Sequence, residues 1–138
     1  MALLTGLLLA LAVALFASFV GLDRDRAFYP TVTVVVASYY ALFAVMGGSL
    51  RALAIECISI VVFIAAAAAG FRKSLWIVVA ALAGHGIFDA VHGRLIDNPG
   101  VPLWWPAFCG AYDVMAAVCL AWLLTRSGRY GTSRNLLA

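Results

Sequence analysis

Apolar residues run along this chain in five long blocks, separated by short clusters of charged and turn-forming residues. Met1 to Leu22 and Ala27 to Leu50 carry no charge at all. Ala52 to Phe71 carries only Glu56, Ser74 to Gly93 only His85, Asp89 and His92, and Val101 to Thr125 only Asp113. Each block reaches the roughly 20 residues needed to cross about 30 Å of hydrocarbon. Backbone groups in lipid must bond within their own segment, so five such blocks predict helices and not strands. The expected architecture is all-α, an integral membrane five-helix bundle with helices at about 2–22, 28–48, 50–71, 74–96 and 103–126. These form a single transmembrane domain, 1–126, followed by a short basic tail, 127–138. The first block has no basic segment before it and is too long for a signal peptide, so it reads as a helix.

The separators fit this reading. Asp23, Arg24, Asp25 and Arg26 make a compact charged turn, and Pro30 falls in the first turn of the second helix, where proline is tolerated. Gly47, Gly48 and Ser49 predict a tight turn with a serine cap for the third helix. Asp97, Asn98, Pro99, Gly100, Val101 and Pro102 predict a rigid loop before the fifth helix. Trp104 and Trp105 stand where tryptophans anchor a helix at the membrane interface or roof a pocket beside it.

Composition supports lipid as the solvent: 66% of residues are hydrophobic and 11% charged, with a mean hydropathy of +1.07. Arg24, Arg26, Arg72, Lys73, Arg126, Arg129 and Arg134 fall on one side of a five-span topology, and Arg51 and Arg94 on the other. That bias makes the first side cytoplasmic, with the N-terminus outside and the C-terminus and tail inside. The expected location is the cell's inner (plasma) membrane, as a multi-pass protein. The net charge of +3 describes a cytoplasmic rim facing lipid and gives no ground for nucleic-acid binding.

Five ionisable residues within the blocks carry the candidate chemistry. Charge in the bilayer costs at least about 2.5–3.5 kcal/mol per group, so such residues face the bundle interior. At 1.5 Å per residue, Glu56, Asp89 and Asp113 all fall roughly 9–13 Å below one end of their helices, with His92 shallower and His85 deeper. His85, Asp89 and His92, at i, i+4 and i+7, share one helical stripe. Histidine and carboxylate donors suit a divalent transition metal, zinc or iron first, whose charge offsets that of the acids. The expected ligands are His85, Asp89, His92, Asp113 and Glu56, with Asp113 and Glu56 also candidates for general base. Asp89 and His92 have the spacing of the carboxylate–histidine pairs in bundle-core metal sites. Tyr39, Tyr40, Asn98, Trp104, Trp105 and Cys109 are candidates for the surrounding layer or for substrate contact. Arg94 either pairs with Asp97 at i, i+3 or holds an anionic head group. Cys57 and Cys109 lie in the same half of the membrane, which leaves a disulfide open.

The stretch His85-x-x-x-Asp89-x-x-His92, Asn98-Pro99-x-x-Pro102, Phe108-Cys109 and Asp113 resembles a family of small bacterial multispanning membrane proteins of unassigned function. The resemblance covers the last two helices and their loop and implies that these residues form one unit. Membrane hydrolases of the alkaline ceramidase and adiponectin-receptor type also hold zinc among histidines and an aspartate. This chain has five spans to their seven and lacks their His-x-x-x-His pair. Its single lysine, Lys73, lies at a turn, which excludes a rhodopsin-like buried Schiff base.

The function these residues predict is that of a metal-dependent membrane enzyme acting on a lipidic or membrane-soluble substrate, with hydrolysis ahead of redox chemistry. The alternatives are a small proton-coupled or metal-ion transporter, for which a homo-oligomer is expected, and an accessory subunit whose polar residues only lock helices together.

Overall fold

The structure, a computed structural model, describes residues 1–126; the basic tail expected at 127–138 lies outside the described residues. Five helices account for nearly all of the described chain: α1 (Ala2–Val20), α2 (Phe28–Met46), α3 (Leu50–Arg72), α4 (Leu75–Leu95) and α5 (Trp105–Arg126). All five are long and apolar enough to cross a membrane. No strand occurs among the described residues.

Local chemistry sets the helix ends, in places a residue or two inside the apolar runs. α1 stops at Val20 because Gly21 turns left-handed, at φ 84°, which glycine adopts without steric cost. A 3₁₀ turn, Leu22–Arg24, follows. Within the charged turn, buried Asp23 accepts a hydrogen bond from Ser18 Oγ at 2.7 Å. Arg26 donates to the carbonyls of Gly70 and Phe71 at the end of α3. It supplies donors that the last turn of a helix otherwise lacks, so this turn ties α3 to the α1–α2 connection. Ser49 caps α3, its Oγ accepting from Ala52 N at 3.2 Å. α5 begins at Trp105, after a turn closed by a bond from Trp105 N to Pro102 O at 2.9 Å.

α4 and α5 pack along their lengths, α1 leans on α5, and α3 is held between α2 and α4. α2 also touches α4 and α5, whereas the consecutive helices α1 and α2 share no extended face. The α4–α5 crossing depends on two glycines: a Cβ on Gly86 would stand 3.0 Å from Gly110 O. Small residues of this kind let helix backbones approach in lipid. α2 and α4 are the most enclosed helices, while α1 and α3, the most apolar, turn most of their surface outward. Lipid therefore meets the apolar helices, and the polar side chains fall in the centre.

Candidate metal centre

Glu56, His85, Asp89, His92 and Asp113 are all buried, none more than 2% exposed. They form two neighbouring sets. In the first, His85 Nδ1 lies 2.6 Å from Asp113 Oδ2 and 3.7 Å from Asp89 Oδ2, and the Cys109 thiol donates to Asp113 Oδ2 at 3.8 Å. α4 contributes His85 and Asp89 one turn apart, and α5 contributes Cys109 and Asp113 one turn apart. The Gly86–Gly110 contact brings the two pairs face to face. Ligand atoms of His85, Asp89, Cys109 and Asp113 all lie within 4.8 Å of one another, so the group can hold a metal ion.

The second set lies nearer the α4–α5 loop. His92 Nε2 stands 2.7 Å from Glu56 Oε1. Asn98 Nδ2 donates to the same oxygen at 2.9 Å and to the Tyr40 carbonyl at 3.0 Å. Both amide protons of Asn98 are thus used, and its Oδ1 accepts from Gly100 N at 3.3 Å. The loop is drawn into the bundle by a side chain that makes three hydrogen bonds, using both of its donors.

Tyr40 joins the two sets. Its hydroxyl donates to Asp89 Oδ1 at 2.6 Å, and its ring stacks on His92 with centroids 3.8 Å apart. Phe63 and Phe88 close the sides against the imidazoles, Phe63 edge-on to His85 at 4.7 Å. Neither phenylalanine carries a signal in the sequence that separates it from ordinary packing residues.

Metal binding fits the unmet demands of these atoms. Asp89 Oδ2 and Asp113 Oδ1 are buried with no hydrogen-bond partner. Among the described residues, the acids of this interior pair only with histidines and with no arginine or lysine. Buried carboxylate oxygens without donors are costly, and a dication would compensate them directly. Tetrahedral ligands about 2.0–2.3 Å from zinc stand roughly 3.3–3.8 Å apart, so an ion would need the widest donor pairs, up to 4.8 Å apart, to close and the 2.6 Å His85–Asp113 pair to open. An ion bound at His85 Nδ1 would replace the hydrogen bond that this nitrogen shares with Asp113, and any proton held there would be released.

The group that could hold an ion differs from the one expected from the helical stripe. His85, Asp89 and Asp113 come together with Cys109, whereas His92 and Glu56 bond to each other. Seven residues of helix separate His85 and His92 by roughly 10 Å along the axis, too far for both to share an ion with bonds near 2 Å. Cys109, expected in the surrounding layer, shares the face of Asp113 through their i, i+4 relation and lies within the group itself. Cys57 is exposed, and both it and Cys109 are free thiols, so the disulfide does not form. Tyr39 lies at the surface against Trp105, with centroids 4.9 Å apart, and Trp104 is exposed beside it. Arg94 and Asp97 are exposed and make no ion pair with any described residue, because helix α4 ends between them and turns Asp97 away.

Compared with protein-family models, curated proteins and solved structures, the chain has no match.

Proposed function

We propose that this chain is a membrane-embedded metalloenzyme that cleaves a lipidic or membrane-soluble substrate, with His85, Asp89, Cys109 and Asp113 holding the ion. The observation that supports it best is the pair of buried carboxylate oxygens, Asp89 Oδ2 and Asp113 Oδ1, left without donors beside an imidazole and a thiol. A divalent ion held there would act as a Lewis acid toward a carbonyl and would make water a better nucleophile. Zinc and iron both suit such donors. Tyr40 holds Asp89 by one oxygen and leaves the other toward the centre. Hydrolysis also needs a proton acceptor, and Glu56 has an unbonded buried oxygen, Oε2, in the adjoining set. Water adds to the carbonyl carbon, its proton passes to this carboxylate, and the leaving group takes that proton as its bond to carbon breaks. Redox use of the same ion is the less favoured variant.

A second reading, metal-ion transport, is favoured by one feature. The Glu56–His92 pair lies between the four-residue group and the Asn98 loop, as a second station on a polar route from that end of the bundle would. The basic side chains support an orientation with the N-terminus outside: Arg24, Arg26, Arg72, Lys73 and Arg126 gather at one end, and Arg51 and Arg94 at the other.

Elemental analysis of the purified protein tests the metal centre. One equivalent of metal is expected in the wild type and almost none in His85→Ala or Asp113→Ala; a metal-free wild type that takes up no added zinc or iron sinks the proposal. Chelator-sensitive cleavage of acyl esters in mixed micelles supports the enzyme, whereas metal flux into liposomes without cleavage supports transport. A wild type that shows neither activity, together with a His85→Ala variant that unfolds, would leave the buried residues a purely structural role.

A further inference from the structure

α1 is joined to the bundle through α5 and leaves a slot against α2. This slot is a groove of ≈510 Å³ floored by α5, within the range of about 300–1,000 Å³ typical of ligand sites. Its walls include Leu9 and Val13 of α1 and Val32 and Val36 of α2, and no charged residue lines it. Along α2 it runs from Phe28 to Tyr39, roughly 16 Å at 1.5 Å per residue. That is about half the hydrocarbon thickness of a bilayer.

One end of the groove differs from the rest. Trp105 and Cys109 line it there, and Cys109 belongs to the metal-binding group. The indole Nε1 of Trp105 is buried with no hydrogen-bond partner. The hydroxyls of Thr31, Tyr39 and Tyr112 line the same groove but do not bond it, and a donor left open in apolar surroundings calls for an acceptor. A second groove, of ≈370 Å³ between α1 and α5, reaches Cys119 and Trp122 but no member of the metal-binding group.

We infer that the first groove holds a single acyl chain, drawn sideways from the bilayer, with its carbonyl at Trp105 and Cys109 and its tail toward Phe28. The substrate class of the metal centre is then an acyl lipid. This assignment of substrate rests on the metal-centre reading; the occupancy of the groove does not. Apolar walls match the chain, the indole N–H matches the carbonyl oxygen, and the absence of charge leaves a polar head group outside the slot.

Photo-crosslinking tests this with wild-type protein in liposomes containing a phospholipid that carries a mid-chain diazirine. Adducts are expected to concentrate on groove residues such as Val13 and Val35, above the labelling of the equally lipid-facing Ile58 and Val61 of α3. Val35→Trp, which fills the slot, is expected to abolish the excess, and Val118→Trp, in the second groove, to preserve it. Trp105→Phe is expected to weaken competition by a free fatty acyl ester roughly three- to tenfold, the loss of one hydrogen bond. Labelling no stronger in the groove than on α3, or unaffected by Val35→Trp, overturns the inference. Metal content measured on the same samples, together with labelling of His85→Ala, reports the metal-centre reading separately. Groove labelling that persists in a metal-free variant keeps the lipid site, and a metal-loaded protein without groove labelling keeps only the metal centre.

Discussion

Tyr40 holds two adjoining polar sets in register through a hydroxyl bonded to Asp89 and a ring stacked on His92. Tyr40→Phe removes the first contact and retains the second. It is expected to fold normally and to lose about 10–100-fold in metal affinity, the usual effect of deleting a partner of a metal ligand; chelator competition measures this. His92→Ala is expected to behave oppositely. It leaves Glu56 with only Asn98 as donor, lowering stability by about 1–3 kcal/mol, while the metal stays bound. Thermal unfolding in detergent, with and without added metal, separates the two, and loss of metal in His92→Ala would return that residue to the ligand set. The polar interior was legible in the sequence as far as depth and helical face define it. Glu56, Asp89 and Asp113 stand in apolar surroundings at matching depth, and the structure buries all three. Partner choice was not legible, because a stripe shows direction and not distance: His85 and His92 share one face yet meet different helices. Asn98 had only its turn-forming neighbours to mark it, and its inward reach depends on how far the loop sinks between α2 and α3.

At the scale of elements, backbone contacts position these side chains. A Cβ on Gly100 would fall 1.8 Å from Phe43 O and 2.9 Å from Gly47 N, so the loop rests on the end of α2 with no room for a methyl group. Gly100→Ala is expected to lift the loop, withdraw Asn98 from Glu56 and destabilise the protein by about 1–3 kcal/mol. Faster hydrogen exchange at the ends of α2 and α3 would register it; an unchanged exchange pattern would show the loop to be unimportant to the seal. Gly6 plays the same part for α1, since a Cβ there would lie 2.2 Å from Phe108 O. α1 supplies no donor to the proposed metal-binding group, so Gly6→Ala is expected to lower the melting temperature while metal content holds. The five helices followed from apolar run length alone. Their ends depended on single features, the left-handed Gly21 and the turn before Trp105, which hydropathy does not register.

Across the whole molecule, apolar helices face outward and polar ones inward, the arrangement a lipid solvent favours. The orientation proposed from the basic residues is directly checkable. In a background lacking Cys57 and Cys119, a membrane-impermeant maleimide is expected to label Asp97→Cys in intact cells and Asp25→Cys only after permeabilisation. The reverse pattern would place the metal-binding group nearer the cytoplasm. The pairing of α4 with α5 has a further consequence, for biosynthesis. α4 emerges from the ribosome carrying two histidines and an aspartate; His92 and Asp89 can find Glu56 on α3 and Tyr40 on α2 at once, but the carboxylate that answers His85 lies on α5, the last of the five described helices. Until α5 arrives, His85 stands among lipid tails without its partner. A chain truncated after the Asn98 loop should therefore hold α4 in the membrane less firmly, with His85 as the exposed point.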